Sequence, residues 1–253
     1  MRKLDKDVIA SRLSERADVH FYRITDSTNI RAKEYAAENK IKRPAVFIAA
    51  SQSAGRGRLG RSFLSEEGGI YFTLLMTGRC LAPTEITPRA AVAASVAIEE
   101  LLGISVGIKW VNDLYLSDKK LAGILTEGTF DENGKLAYYL VGMGINVYKN
   151  ADFNAKLPMA CAIEDAAKTE IDINEIAIAI ISRMLGIEEL SSPLFEYRKR
   201  SILDGREIVA YDGEKQIDCR AIGIDEDFSL IAEKLSDGEK IRLFTGEVSV
   251  KLK

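Results

Sequence analysis

The stretch Ser51-Gln52-Ser53-Ala54-Gly55-Arg56-Gly57-Arg58-Leu59-Gly60-Arg61 follows an apolar run, Ala45 to Ala50, and what comes after it decides the fold. Its glycines spell G-x-G-x-x-G. A dinucleotide-binding βαβ unit needs a helix straight after them, aiming its positive end at a pyrophosphate, and an acidic residue about 20 positions on. Here Arg61-Ser62-Phe63-Leu64-Ser65-Glu66-Glu67-Gly68-Gly69 leads into a strand instead, and position 80 is Cys80. A Rossmann unit is excluded. The glycines and Arg56, Arg58 and Arg61 suit an anion-binding loop, in which free backbone wraps a ligand and guanidinium forks grip phosphate or carboxylate oxygens. A triphosphate fits such a loop; a solvated basic turn is the plain alternative. No G-x-x-x-x-G-K-[ST] is present, so a simple P-loop kinase is excluded as well.

Upstream of this loop, Asp5 caps a predicted helix through Leu13, and a strand covers Val19 to Ile24. Ser27 reads as the N-cap of a helix through Glu38, its hydroxyl accepting from first-turn amides. Downstream, Gly69 to Thr77 is a strand, and Thr87-Pro88 opens a helix that Gly103 ends. Strands follow at Ser105 to Trp110, Leu114 to Ser117, Leu121 to Glu127 and Ala137 to Val147, the last two joined by an Asn133-Gly134 hairpin turn. Helices start at Asn174 and at Ser192-Pro193, the second reaching about Leu203.

After Gly205 the texture changes to short alternating runs: Glu207 to Tyr211, Gln216 to Ile224, Ser229 to Lys234, Lys240 to Phe244 and Glu247 to Leu252. Asp212-Gly213, Asp225-Glu226-Asp227, Asp237-Gly238 and Gly246 separate them. The pattern predicts an all-β unit compatible with an SH3-like barrel. A boundary falls near Asp204, with domains at 1–203 and 204–253.

The 253 residues are 47% hydrophobic and 29% charged, an ordinary globular balance that excludes extended disorder. A net charge of -3 argues against a general nucleic-acid binder. No apolar run is long enough to span a bilayer, and Met1-Arg2-Lys3-Leu4-Asp5-Lys6-Asp7 lacks the apolar stretch of a secretory signal. Cys80, Cys161 and Cys219 are far apart, without metal-like spacing, so the expected setting is a reducing cytoplasm.

Three further segments carry candidate chemistry. In Lys109-Trp110-Val111-Asn112-Asp113-Leu114-Tyr115, Lys109 follows the apolar Val106-Gly107-Ile108, and an ammonium held near the interior needs an anionic partner, which a ligand can supply. Asn112-Asp113 read equally well as turn residues. Asp118-Lys119-Lys120-Leu121-Ala122-Gly123-Ile124-Leu125-Thr126-Glu127 is at its plainest a hairpin tip entering a buried strand. In Val141-Gly142-Met143-Gly144-Ile145-Asn146-Val147, two glycines allow close approach of a ligand or another backbone, or serve packing alone.

Taken in order, five motifs resemble the biotin protein ligase family: Ser27-Thr28-Asn29; Gln52 with Gly55 to Arg61; Lys109 to Asp113; Lys120-Leu121-Ala122-Gly123-Ile124; and Gly142-Met143-Gly144-Ile145-Asn146. The resemblance covers the whole chain. It implies an α+β fold: a class II synthetase-like mixed and antiparallel sheet with flanking helices, plus a small C-terminal SH3-like barrel. The form it suggests is monofunctional, without an N-terminal DNA-binding domain, because one short helix and a strand before Ser27 are too little for two helices and a wing. Lipoate and octanoate transfer enzymes share the general fold but carry a glycine-flanked histidine motif. The only histidine here, His20, sits in Asp18-Val19-His20-Phe21 and reads as a strand surface residue.

Carried over position by position, the resemblance implies a biotin pocket at Ser27, Thr28, Asn29, Gln52, Gly55, Arg56, Gly57, Arg58, Lys120 and Gly123. It implies an ATP and adenylate site at Arg56, Arg58, Arg61, Phe63, Lys109, Asn112 and Asn146, with Arg56 and Lys109 as the catalytic pair. Phe63 stands where the family often has a tryptophan on adenine, and Val111 replaces a common proline. ATP and biotin are the implied substrates, with Mg²⁺ at unassigned ligands. The implied partner is the biotin carboxyl carrier protein domain of a carboxylase; no DNA or membrane partner is expected, and the state is monomer or homodimer. Residues 52–63 are expected to order on biotin binding, shielding a reactive adenylate from water.

Overall fold

A computed structural model of the chain describes residues 1–77, 81–212, 215–244 and 247–250. Cys80, Gly213, Gly246 and the strand end expected at Leu252 lie outside them. Helix α1 (Lys6–Leu13) is capped as its sequence predicts, the Asp5 carboxylate accepting from the amides of Asp7 and Val8. Then come β1 (Asp18–Thr25), α2 (Thr28–Glu38), β2 (Ala45–Gln52) and β3 (Gly69–Thr77). β1 and β2 pair in parallel, with α2 as the crossover such a pair requires.

Helix α3 (Pro83–Leu102) begins a turn before the expected Thr87-Pro88. Pro83 takes the first position, where a missing N–H leaves nothing unpaired, and the early start brings Ile86 into the core. Gly103 ends it at φ 66°, the left-handed cap expected of glycine. Four strands follow: β4 (Gly107–Lys109), β5 (Asp113–Leu116), β6 (Lys119–Phe130) and β7 (Leu136–Asn146). β6 and β7 are joined by residues 131–135 rather than by a two-residue turn. Of the Asn133-Gly134 pair only Gly134 takes a positive φ, 74°, and the Asp131 carboxylate organises the loop by accepting from the amides of Asn133 and Lys135. After the short α4 (Phe153–Lys156), α5 (Ile173–Met184) is capped by Asp172, one residue earlier than expected, and α6 (Pro193–Arg200) stops short of Leu203.

The seven strands lie in the order β1-β2-β3-β7-β6-β5-β4, antiparallel except for the first pair. Period-two alternation gives the sheet two apolar faces. Val46, Ile48, Ile70, Phe72, Val141 and Ile145 belong to the main core with α1, α3 and α5. Ala45, Phe47, Leu75 and Leu140 pack on the opposite face against Ala32, Tyr35 and Ala36 of α2. Alanines at 90, 91, 93, 94 and 97 of α3 are buried, which keeps that helix close to its neighbours.

The remaining strands, β8 (Glu207–Asp212), β9 (Lys215–Ile224), β10 (Leu230–Lys234), β11 (Lys240–Leu243) and β12 (Glu247–Val250), form a second, antiparallel sheet in the order β11-β10-β9-β8-β12. Its inner residues Ile208, Ala221, Phe228 and Leu230 join the same apolar cluster as the large sheet. The Trp110 indole N–H donates to the Phe228 carbonyl at 2.9 Å, and the Tyr197 and Phe228 rings meet edge to face at 5.5 Å. His20 is half-buried rather than a surface residue: its ring stacks on Phe47 at 4.6 Å and touches Tyr35, because β1 lies beneath the end of α2.

Candidate functional site

The α2 side of the sheet is not uniformly apolar. Along β7, Val141, Met143 and Ile145 point to the main core, which leaves Gly142 and Gly144 on the α2 side. Along β6, Ala122 and Ile124 do the same and leave Gly123 and Glu127 on that side. The two β7 glycines make room for side chains rather than for a ligand or another backbone. A Cβ on Gly142 would lie 2.2 Å from Asn29 Oδ1, and one on Gly144 would lie 2.4 Å from the Phe63 ring.

The start of α2 is held differently from the sequence expectation. Ser27 occupies the N-cap position and is buried, but its hydroxyl makes no capping bond. Gln52 does that work from the end of β2, its Oε1 accepting from the Thr28 amide at 2.8 Å, while the Asp26 carboxylate accepts from the Ser27 amide at 2.6 Å. The Asp26 carboxyl is held below its usual range, first by that amide bond, against some burial, and then by Thr25 and Arg31.

Beyond β2 the glycine-arginine segment folds into a small hairpin. The Phe63 amide donates to the Gly55 carbonyl at 2.9 Å and the Gly57 amide to the Arg61 carbonyl at 2.7 Å. Leu59 at φ 54° and Gly60 at φ 73° form its tip. Arg58 ties it to the β4–β5 turn, Nη1 donating to Asn112 Oδ1 at 2.9 Å, and Asn112 Nδ2 donates onward to the Ile124 carbonyl at 3.0 Å. Asn112 and Asp113 are therefore more than turn residues: Asp113 also pairs with Lys120 at 2.8 Å. Lys109 Nζ lies 5.6 Å from the centre of the Tyr115 ring. Burial, with the charges of Asp113 and Cys161, pushes the Tyr115 phenol up to about 12.

Hairpin, turn, α2 and the glycine strands enclose a cavity of about 160 Å³. Of the fifteen residues singled out from the sequence, thirteen line it; Gly55 and Asn146 do not. Gly55 lies at the base of the hairpin, where a Cβ would come within 2.3 Å of the Phe63 carbonyl oxygen. Asn146 is buried at the end of β7 and donates to the Cys161 carbonyl at 3.1 Å. The lining carries five cationic side chains, Arg56, Arg58, Arg61, Lys109 and Lys120, against one carboxylate, Asp113. Such a wall attracts anions, and in a recess the field is stronger than in open water.

Several participants lie outside the site residues expected from the sequence. Trp110 and Val248 also line the cavity, the second from the small sheet. Thr73 of β3 bonds Thr28 and Asn29, and Glu127 accepts from both Asn29 and Lys33. Glu127 was detectable in principle, since it shares the period-two face of β6 with Gly123. Thr73 and Val248 carry no such signal.

Residues 21–146 match the biotin/lipoate A/B protein ligase family. The bifunctional ligase/repressor BirA of Salmonella typhimurium is 30% identical over 262 residues, which cover 98% of this chain and 78% of that protein. BirA of Bacillus subtilis is 36% identical over 159 residues, 60% of this chain; the match spans about half of that protein's length, 48%. Among solved structures, the biotin protein ligase of Aquifex aeolicus in complex with biotin and ATP superposes with a TM-score of 0.75 at 26% identity, covering 93% of this chain and 99% of that one. The chain belongs to the biotin/lipoate A/B protein ligase family. The Aquifex biotin protein ligase shares its flanked mixed sheet.

Proposed function

We propose that the protein activates biotin with ATP and transfers it to a lysine of a biotin carboxyl carrier protein domain. The observation that carries this is the convergence of five cations on one recess beside the polar floor of Ser27, Thr28, Asn29 and Gln52. On this reading biotin rests on that floor with Gly57, Lys120 and Gly123 around it, and Gly55 closes the base of the hairpin. Arg56, Arg58, Arg61, Lys109 and Asn112 face the nucleotide, and Phe63, seated on Gly144, offers a ring to the adenine. Asn146, bonded to Cys161, holds the neighbouring segment rather than the nucleotide.

The biotin carboxylate attacks the α-phosphorus, forming the acyl–phosphate bond of biotinyl-5'-AMP as the bond to pyrophosphate breaks. The carrier lysine then attacks the acyl carbon, an amide forms, the proton leaves the amine, and AMP departs. Neither step needs an enzyme nucleophile. Bringing two anions together is the difficulty, and Arg56 and Lys109 answer it by alignment and by stabilising charge as it moves to the leaving group. Mg²⁺ would neutralise phosphate charge, and such an ion would draw most of its ligands from the nucleotide and water, with one or two carboxylates from the protein. Asp113 is the lining carboxylate that suits an ion carried in on the nucleotide; among the described residues no cluster of three or more His, Cys, Asp or Glu is placed to hold one by protein alone.

The same reading takes 1–203 as the catalytic domain and 204–253 as an SH3-like domain, in a cytoplasmic monomer or homodimer without a DNA or membrane partner. No helix among the described residues is long and apolar enough to cross a membrane. Incubation with biotin, ATP and a purified carrier domain tests the proposal. Biotin-dependent pyrophosphate release and an avidin-reactive carrier are expected; release of no pyrophosphate would overturn it.

A further inference from the structure

Behind the floor of the cavity runs a chain of hydrogen bonds whose direction is set from one end. Glu127 divides its two oxygens: Oε1 accepts from Lys33 Nζ at 2.7 Å and Oε2 from Asn29 Nδ2 at 2.9 Å. Asn29 is almost fully buried, so its amide orientation follows from its partners. With Nδ2 turned to the carboxylate, Oδ1 faces Thr73 Oγ1 at 2.5 Å and must receive that hydroxyl's only proton. The 2.8 Å contact between Thr73 and Thr28 is then carried by the Thr28 proton. Gln52 Oε1 is 3.2 Å from the same Thr28 hydroxyl, the longer of its two contacts. Thr28 and Gln52 therefore meet the cavity as acceptors.

We infer that Glu127, with Lys33 behind it, is a positioning pair that fixes the floor of the cavity as a hydrogen-bond acceptor surface, matched to N–H donors such as those of biotin's ureido ring. The inference rests on the ligase reading above. Burial pushes the Glu127 carboxyl up, but the hydrogen bonds from Lys33 and Asn29, with the charge of Arg56, hold it below the usual range. At neutral pH it is ionised and accepts only. Neither residue lines the cavity, so neither touches substrate.

A neutral amide at this position cannot divide itself in the same way. In Glu127→Gln the single carbonyl oxygen goes to the ammonium of Lys33, because a charge-assisted bond is the stronger. The amide N–H₂ then faces Asn29, which must turn over to accept from it. Asn29 Nδ2 now donates to Thr73, the Thr73 proton moves to the Thr28 side, and the Thr28 proton swings to Gln52 Oε1. The acceptors of the floor are consumed. Removing the ammonium as well, in Glu127→Gln with Lys33→Met, frees the carbonyl oxygen for Asn29 and restores the original direction.

The test measures KM for biotin and for ATP by pyrophosphate release in the wild type, Glu127→Gln, Lys33→Met and the double variant. For Glu127→Gln, KM for biotin is expected to rise about tenfold to a hundredfold, the range for donors and acceptors left mismatched, while KM for ATP stays within about twofold. The double variant is expected to match Lys33→Met alone, a rescue that a merely structural role for Glu127 would not produce. An unchanged KM for biotin in Glu127→Gln, or a double variant as impaired as Glu127→Gln, overturns the inference and leaves the ligase reading standing. A wild-type chain that releases no pyrophosphate with biotin removes both.

Discussion

Gly55 is a residue at which one added methyl group meets fixed backbone. In Gly55→Ala the new Cβ would stand 2.3 Å from the Phe63 carbonyl oxygen and 2.5 Å from Ser65 Oγ, where ordinary contact begins at 3.4 Å. One neighbour is backbone, so no rotamer relieves the clash, and the two segments must part by about 1.1 Å. They are joined there by the Phe63 amide on the Gly55 carbonyl and the Gln52 amide on the Ser65 carbonyl, both at 2.9 Å. Overpacking of this kind costs about 1–3 kcal/mol, or about 5- to 150-fold if the loss falls wholly on hairpin geometry. kcat/KM for biotin-dependent pyrophosphate release is expected to drop by that factor, with a thermal midpoint close to wild type because the hairpin lies outside the core. Gly60 is the comparison. It has open space around a Cβ but sits at φ 73°, so Gly60→Ala costs only conformation, about 1–2 kcal/mol. Asn, which tolerates that conformation, should recover most of the loss. A wild-type rate in Gly55→Ala, or equal impairment of Gly60→Ala and Gly60→Asn, would refute the steric account.

Lys109→Ala should lower adenylate formation far more than it weakens biotin binding by calorimetry; equal losses would reduce the lysine to a ground-state contact. Burial holds the His20 imidazole below its ordinary value of 6.5, against the opposing charge of Asp18. A folded value below the unfolded one means that this residue's stability is complete above about pH 6.5 and is lost as the pH falls below it. His20→Phe should therefore narrow the gap between urea midpoints at about pH 7.5 and about pH 5.5; an unaltered gap would show that the imidazole stays uncharged without cost. Trp110→Phe leaves the Phe228 carbonyl without its indole donor and should cost about 1–3 kcal/mol in a denaturant titration. Identical curves would mean that the two sheets are not coupled through this bond.

The sequence was most informative where chemistry depends on residue type within one segment. The glycine-arginine run, Lys109 and Lys120 meet at one cavity although 64 positions separate Arg56 from Lys120. The strand Gly69–Thr77 has the bounds its sequence predicts, because alternation and turn residues act locally, whereas β4 is shorter and β6 longer than expected. What escaped was set by distant partners. Ser27 has the composition of a cap, yet Gln52, 25 positions on, makes the bond instead. Gly142 and Gly144 were open to three readings, since nothing near them announces Asn29 or Phe63 as the occupants. His20 had the surroundings of a surface strand until α2 covered it. Val248 could not be assigned to the cavity from a segment that reads only as an outlying strand.

The seat of Phe63 on Gly144 limits how this protein can be rebuilt by exchange of parts. The hairpin brings its aromatic residue, but the hollow that receives it belongs to a strand more than eighty positions away, and Gly142 stands in the same relation to Asn29. A relative's hairpin grafted alone, with a bulkier ring at position 63, would arrive without a matching recess. Loop and strand thus form one inheritable unit, and in a chimera they should travel together.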